Sequence, residues 1–330
     1  MKKLKIAAMV MACAGFMQSG LAADKLGVTI YKYDDNFMAT MRQALEEMNK
    51  EKGSFNMLMK DSQNSPSVEV TNVTTLLSQG VKVLAINIVD PGTGKNMIKK
   101  IKDDEVPVIF FNRDIGKEAL ATYKDAYFVG TDPKQSGEIQ GNLIAKKWAA
   151  HPEWDKNKDG KVQYVLLKGE PGHPDAEART EWVKKAMEAK GLKIDELFLD
   201  TAMWDTAKAT NKMQTWLASP KGKEIEVVIA NNDAMAMGAV AAMKTEGHLL
   251  PTFGVDALQE ALQMVKKGDL QGTVLNDGEG QSKAVYAMAE NLAKGKPATE
   301  GTDLKMENNY VLIPYVGVDK ANLDKFLKTK

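Results

Sequence analysis

Short apolar runs alternate with amphipathic helical patterns along almost the whole chain, and this alternation limits the folds open to it. Most of the runs are rich in β-branched residues and apolar on both faces, as buried parallel strands are. Between them, apolar residues recur at helical spacing, as in Phe37, Met41, Leu45 and Met48. The pattern predicts an α/β protein with parallel sheets. The main strand-like runs are residues 26–30, 81–88, 106–111, 127–130, 162–167, 227–230, 253–255 and 310–319.

Two domains are expected rather than one. The chain has 330 residues, more than a single hydrophobic core usually holds. About ten predicted strands are also too many for one ordinary sheet. No obvious linker divides the sequence, which favours a chain that crosses between two lobes more than once.

The composition excludes some classes of partner. Lys plus Arg and Asp plus Glu both number 44, whereas a nucleic-acid-binding protein would carry a basic surface. No apolar run approaches the roughly 20 residues of a membrane span. We therefore expect no nucleic-acid partner and no membrane helix.

The first residues have the anatomy of an export signal. Three lysines among the first five residues precede an apolar stretch at residues 6–16, and small residues follow at 20–23. We predict a signal peptide at residues 1–23, cleaved after Ala22 or Ala23. The predicted location is the periplasm.

The single cysteine, Cys13, lies inside this predicted signal. The mature chain would then have neither a disulfide nor thiol chemistry. An alternative interpretation takes residues 10–13 as a lipoprotein cleavage box that leaves Cys13 acylated, although Met11 fits such a box poorly. Both interpretations stay open from the sequence.

Polar residues follow the apolar runs at five places in the two halves of the chain. In open α/β sheets, ligands bind beyond the carboxyl ends of the strands. An alternative is that each Asp or Asn only caps the next helix. Five such ends together favour a shared polar site. They are residues 34–35, 112–114, 231–233, 256 and 276–277.

Residues 155–163 match the calcium-loop template D-x-[DN]-x-[DN]-G. Asp155, Asn157 and Asp159 supply side-chain oxygens at alternate positions, and Gly160 permits the sharp turn. The sequence therefore predicts one calcium ion here.

The rest of the loop departs from an EF-hand. Lys161 offers only its backbone carbonyl, and Gln163 offers an amide oxygen. Leu166 occupies the twelfth position, where a Glu would complete the shell, so a further carboxylate must come from elsewhere. The alternative is a solvated turn held by side-chain-to-backbone hydrogen bonds.

A second polar group, His173, Asp175 and Arg179, follows the run at 162–167. No second His or Cys is near for a metal, and no nucleophile stands beside a base. The fixed fork of Arg donors and the acceptors of Asp suit neutral hydroxyl groups. The alternative is a helix cap by Asp175 and a surface ion pair.

Two aromatic residues stand next to predicted helix starts, Phe37 and Trp204. A flat ring can pack against the C–H face of a pyranose, although core packing is the usual role of an aromatic residue in such a place.

Taken together, residues 31–37, 155–163, 169–179, 200–204, 229–238 and 273–277 resemble the periplasmic D-galactose/D-glucose-binding proteins, a family of type 1 periplasmic sugar-binding proteins of ABC importers. The resemblance covers essentially the whole mature chain. It implies two Rossmann-like lobes joined by a three-segment hinge, with the sugar in the cleft between them. The implied N-terminal lobe comprises 24–131 and 277–313, and the C-terminal lobe comprises 132–276 and 314–330.

The resemblance also implies roles for individual residues. Phe37 and Trp204 would sandwich the sugar ring, and Glu226 would be the missing ligand of a structural calcium ion. The implied partners are D-glucose or D-galactose, a membrane ABC importer and, in some bacteria, a chemotaxis receptor. The importer and the receptor would recognise the closed form of the protein, which is expected to be a monomer. The implied sugar contacts are Asp35, Phe37, Asn112, His173, Asp175, Arg179, Trp204, Asn232, Asp256 and Asn276.

Three other functions compete with this interpretation. A receptor for another small sugar or signalling molecule would differ at Asp35, Asn112 or the aromatic residues. A transcriptional repressor with the same lobes would need an N-terminal helix-turn-helix, where the predicted signal peptide stands. A sugar-processing enzyme would use paired acids, but binding alone accounts for the acids present. We therefore expect a binding protein and not an enzyme, with the preference between glucose and galactose left open.

Overall fold

The computed structural model describes residues 23–328. Residues 1–22 of the predicted signal peptide, including Cys13, therefore lie outside the described residues. The first of two α/β lobes is built on a seven-stranded sheet in the order β11-β12-β5-β4-β3-β1-β2. All neighbouring pairs are parallel except β11 with β12. The strands are β1 Asp24–Ile30, β2 Phe55–Asp61, β3 Val83–Ile86, β4 Val108–Phe111, β5 Ala126–Gly130, β11 Met306–Glu307 and β12 Tyr310–Leu312.

The second lobe contains a parallel four-stranded sheet in the order β7-β6-β8-β9 and an antiparallel pair, β10 with β13. The predicted α/β class with parallel sheets is confirmed. These strands are β6 Lys161–Lys168, β7 Lys193–Thr201, β8 Val227–Ala230, β9 Thr252–Phe253, β10 Thr273–Leu275 and β13 Val316–Val318.

Helices cover both faces of the two main sheets and bury a core on each side. Many begin at a side chain that accepts a hydrogen bond from a backbone N–H of the first turn, as Asp35, Asn232 and Asp277 do. The helices are α1 Asn36–Lys52, α2 Pro66–Ser78, α3 Gly94–Lys102, α4 Lys117–Leu120, α5 Pro133–Ala150, α6 Pro174–Ala189, α7 Thr206–Leu217, α8 Asp233–Thr245, α9 Gln259–Lys267 and α10 Gly278–Ala293.

Between residues 23 and 328, none of the helices combines the length and the apolar character that crossing a membrane requires.

The chain passes between the two lobes three times. It leaves the seven-stranded sheet after β5, returns after β10 and leaves again after β12. Helix α10 belongs with the first lobe because Ser282 and Tyr286 donate hydrogen bonds to residues of α1. The lobe boundaries implied by the resemblance remain predictions at the level of single residues.

The prediction of one strand-like run at residues 310–319 is wrong. The structure divides it into β12, which pairs with β5 in the first lobe, and β13, which pairs with β10 in the second. Pro314 lies between them, and a proline has no N–H with which to continue a ladder. The run is therefore the third crossing and not a single strand.

Candidate ligand-binding site

A cleft opens between the lobes at the carboxyl ends of their strands. All ten residues that the sequence singled out line this cleft, together with three that it did not. The lining residues are Tyr31, Asp35, Phe37, Met38, Asn112, Arg113, His173, Asp175, Arg179, Trp204, Asn232, Asp256 and Asn276.

Three of these residues have a backbone conformation that non-glycine residues rarely adopt. The φ angles are 63° at Asn112, 63° at Trp204 and 126° at Asp256. Strained positions of this kind cluster at binding sites, where the surrounding structure holds them in place. The presence of three such residues in one cleft supports a functional role for it.

Asp35 and Phe37 enter the cleft from the start of α1. One Asp35 carboxylate oxygen accepts from the backbone N–H of Met38 at 2.8 Å, and the other accepts from the Tyr31 hydroxyl at 2.7 Å. Burial raises the pKa of Tyr31, so this hydroxyl keeps its proton and remains a donor. Asp35 is thus both the helix cap that the alternative interpretation expected and a residue of the cleft.

Arg113 joins the two lobes at the cleft wall. Its guanidinium carbon lies 3.7 Å from the centroid of the Tyr31 ring, and Nη1 donates to the Val89 carbonyl at 2.8 Å. Nη2 donates at 3.0 Å to Glu170, which follows β6 in the other lobe. Nothing in the local sequence indicates this role, because Arg113 stands inside a polar strand end next to Asn112.

His173 is the N-cap of α6. Its Nδ1 lies 3.1 Å from the backbone N–H of Asp175, which can only donate, so Nδ1 is the unprotonated nitrogen. Burial, reinforced by the charges of Arg113 and Arg179, lowers the pKa of His173 well below its usual value. The ring is therefore neutral and carries its proton on Nε2.

Arg179 lies at the centre of the part of the site that the second lobe contributes, and its side chain contacts several other polar residues there. It is 3% exposed. Nη1 donates to the Asn231 carbonyl at 2.8 Å, and Nη2 donates at 2.9 Å to both Asp175 and the hydroxyl of Tyr315. Nη1 also lies 3.8 Å from a carboxylate oxygen of Asp256.

The environment of Arg179 decides its charge. Burial by itself would lower its pKa, but the neighbouring Tyr315, Asp175 and Asp256 outweigh burial and raise it, so the guanidinium stays charged. Its Nε is buried and has no partner within residues 23–328. The ion pair that the alternative interpretation placed at the surface is buried, and Arg179 has one N–H donor without a partner among the described residues.

Trp204 lines the cleft from the second lobe, opposite the lobe that contributes Phe37. Its ring meets the His173 ring edge to face, with centroids 5.3 Å apart. Gly169 lies against the indole so closely that a Cβ there would come within 2.2 Å of it. The position of the ring therefore depends on a glycine at residue 169.

The remaining lining groups come from strand ends and the second crossing. Asn232 caps α8 through its Oδ1, which accepts from Met235 at 2.9 Å. Asn276 donates to Asp256 at 3.3 Å. Burial raises the pKa of Asp256 well above its usual value, and the charge of Arg179 opposes this.

The chemistry of the cleft is that of recognition. The thirteen lining residues include no Ser, Thr, Cys or Lys that an adjacent base could activate as a nucleophile. They instead combine Asp acceptors, Asn amides, a neutral His and two Arg side chains with aromatic surface. This combination suits a small neutral ligand with several hydroxyl groups.

The loop at 155–163 curls as its template requires. The Asp155 carboxylate accepts from the backbone N–H groups of Asp159 at 3.2 Å and Gly160 at 3.0 Å. Asn157 accepts from Asp159 at 3.0 Å, and the φ angle of Gly160 is 73°. The side-chain oxygens at positions one and three are thereby held against the backbone of residues 159 and 160.

Glu226 immediately precedes β8 and closes over this loop. Its two carboxylate oxygens accept from the backbone N–H groups of Lys156 at 2.7 Å and Gln163 at 3.0 Å. Burial raises the pKa of Glu226, and the two backbone hydrogen bonds oppose this. The amide oxygen of Gln163 is buried without a partner in the described part of the chain.

Carboxylates do not dominate the loop. Within residues 23–328, no three His, Cys, Asp or Glu side chains are grouped closely enough to hold a metal by themselves. The predicted set has only three carboxylates, on Asp155, Asp159 and Glu226, and its other oxygens are amide and carbonyl groups. Oxygen donors of all these kinds, with a buried amide oxygen left unpaired, fit a hard cation such as calcium.

Comparison with known proteins agrees with this geometry. A protein-family model described as a periplasmic binding protein domain matches residues 26–297. The D-galactose/methyl-galactoside binding periplasmic protein MglB of Haemophilus influenzae is 56% identical over 315 residues, which cover 95% of each chain. The ribose import binding protein RbsB of Salmonella typhimurium is 28% identical over 93% of this chain and 98% of its own.

A solved structure shares the architecture. The solute-binding protein of an ABC transporter from Bacillus halodurans, with bound myo-inositol, superposes with a TM-score of 0.78. It is 28% identical, and the match covers 92% of this chain and 97% of the other. The resemblance inferred from the sequence is thus confirmed, and so is the expectation that the chain is not an enzyme. The chain belongs to the periplasmic binding protein family.

Proposed function

We propose that this chain is the periplasmic receptor that binds D-galactose or D-glucose for an ABC importer. The observation that carries the proposal is the cleft itself, in which fixed polar side chains surround a space that is also lined by the rings of Phe37 and Trp204. The 56% identity to MglB of Haemophilus influenzae supports a galactose-type ligand.

The site would distinguish hydroxyl groups because each side chain that faces the ligand is either a hydrogen-bond donor or an acceptor. Arg179 and the neutral His173 offer donors, whereas Asp175 and Asp256 offer acceptors. A buried site built for a hydroxyl rejects an analogue that lacks it, because a polar group of the protein then stays unpaired. Trp204 and Phe37 would pack against the C–H faces of the ring.

Closure of the two lobes would couple binding to transport. The three crossings form a hinge, and a ligand that contacts both lobes favours their closed arrangement. We propose that the importer, and in some bacteria a chemotaxis receptor, recognises this closed form of a monomer. Export to the periplasm would depend on the signal peptide at residues 1–23.

Sugar binding is expected to stabilise the folded chain. A ligand that binds only the native state adds about 4 kcal/mol at a roughly thousandfold excess over its dissociation constant. Thermal denaturation with and without millimolar D-galactose or D-glucose measures this as a higher melting temperature. If neither sugar shifts the transition, the proposed ligand class is wrong.

We also propose one structural calcium ion in the loop at 155–163. Asp155, Asn157, Asp159, Gln163 and Glu226 would hold it through side-chain oxygens, together with the backbone carbonyl of Lys161. The support is the loop curled by its own side-chain-to-backbone hydrogen bonds, the unpaired Gln163 oxygen and the contacts of Glu226 with the loop backbone. When bound, the ion would tie this loop to the start of β8.

Removal of calcium by a chelator is expected to lower the melting temperature while leaving a folded protein that still binds sugar. Glu226→Gln should weaken calcium binding far more than the matched change Lys161→Ala, because only the first removes a ligand charge. Calorimetric titration of both variants with calcium measures the difference. Equal calcium affinity in wild type and Glu226→Gln would show that another residue completes the shell.

A further inference from the structure

A buried amide that the sequence did not single out lies directly behind the cleft. Asn87 follows β3 and is 0% exposed. It lies between Tyr31 after β1 and Asn112 after β4, so its side chain joins the carboxyl ends of three adjacent strands.

Backbone groups fix which way the Asn87 amide points. Its Oδ1 accepts from the backbone N–H of Tyr31 at 3.2 Å, and its Nδ2 donates to the backbone carbonyl of Phe111 at 3.2 Å. A backbone N–H can only donate and a carbonyl can only accept. A reversed Asn87 amide would therefore lose both contacts.

The fixed amide in turn fixes Asn112. The second hydrogen on Asn87 Nδ2 points to the Asn112 side chain at 3.1 Å, so Asn112 must present its oxygen there. Its Nδ2 is then the group left for the cleft. Among the residues that the structure describes, none accepts a hydrogen bond from this Nδ2.

We propose that Asn87 is a positioning residue that makes Asn112 a donor, and never an acceptor, toward the ligand. The inference rests on the proposed sugar-binding function. A ligand hydroxyl that meets Asn112 must then accept there and donate its own proton to another group. Asn87 thus contributes to hydroxyl recognition without touching the ligand.

A double-mutant cycle tests this role. Asn87→Asp keeps the shape of the side chain and the acceptor for the Tyr31 N–H, but it removes the donor that holds the Asn112 oxygen. The Asn112 side-chain amide can then rotate so that its oxygen faces the cleft. We expect Asn87→Asp to weaken binding of the preferred hexose about tenfold, but to change it less than twofold in an Asn112→Ala background. Calorimetric titration of the four proteins gives the dissociation constants.

Equal losses in both backgrounds, or wild-type affinity in Asn87→Asp, would overturn the proposal. Asn87→Ala, which introduces no charge, replaces Asn87→Asp if the latter does not fold. Ser282→Ala is the control, because Ser282 is also fully buried in the first lobe but bonds to Met41 away from the cleft. Its affinity should stay that of the wild type.

A second variant leaves Asn87 intact. Asn112→Asp keeps an oxygen facing Asn87 but turns the donor that faces the cleft into an acceptor. We expect it to bind the hexose at least as weakly as Asn112→Ala does, and wild-type affinity would refute the donor assignment. If the wild-type protein binds neither hexose, the proposed function fails instead, so the two failures are distinguishable.

Discussion

Replacing Arg179 with alanine is expected to lower the free energy of unfolding by about 3–5 kcal/mol and to abolish measurable sugar binding. The side chain is buried, and its charge lies beside two buried carboxylates, on Asp175 and Asp256. Removing one partner of such a cluster leaves the others in a low-dielectric site without compensation. Urea denaturation with and without sugar measures both effects.

One further variant separates charge from geometry at this position, and a second variant on the same helix is the control. Arg179→Lys retains the charge but cannot supply the fork that reaches Asp175, the Asn231 carbonyl and Tyr315 together, so most of the binding should still be lost. Lys185→Ala, which removes an exposed ion pair on the same helix, is the control and should change stability little. An Arg179→Ala variant of wild-type stability would contradict the buried cluster.

Replacing Trp204 with alanine is expected to weaken sugar binding by about 1–3 kcal/mol, which is roughly fivefold to more than a hundredfold. The indole is only partly buried, so the fold should remain intact. Calorimetric titration measures the affinity, and thermal denaturation checks the fold. Trp182→Ala is the matched control, because Trp182 is also a partly buried tryptophan but lies outside the cleft.

Gly169→Ala tests the position of the same ring without deleting it. The added Cβ would lie 2.2 Å from the indole, so the ring must move. We expect a loss of sugar affinity in the same direction as for Trp204→Ala. Wild-type affinity in both Trp204→Ala and Gly169→Ala would show that this ring does not contact the sugar.

The sequence predicted the buried parallel strands well, because their apolar runs are continuous. The run at 227–230 coincides with β8. By contrast, β2 and β7 were not identified as strands. Both lie at the edge of a sheet and are mostly half-buried or exposed, so no apolar run marks them.

In the candidate site, too, the sequence predicted some residues and missed others. Asp35 and Asn232 were detectable because an acid or amide after a strand is visible in one short segment. Asn87 was not, because it stands inside an apolar run and its partners Tyr31 and Asn112 are 56 and 25 residues away. Residues that act through tertiary hydrogen bonds leave no local pattern in the sequence.

Calorimetric titration of the purified protein with D-galactose and with D-glucose tests the proposed function most directly. All ten candidate residues line the same cleft, so we expect saturable binding of at least one of these sugars with one site per chain, and no binding to Arg179→Ala under the same conditions. Absence of binding heat for both sugars at millimolar concentration, together with no change in melting temperature, would contradict the proposal that this periplasmic binding protein is a galactose or glucose receptor.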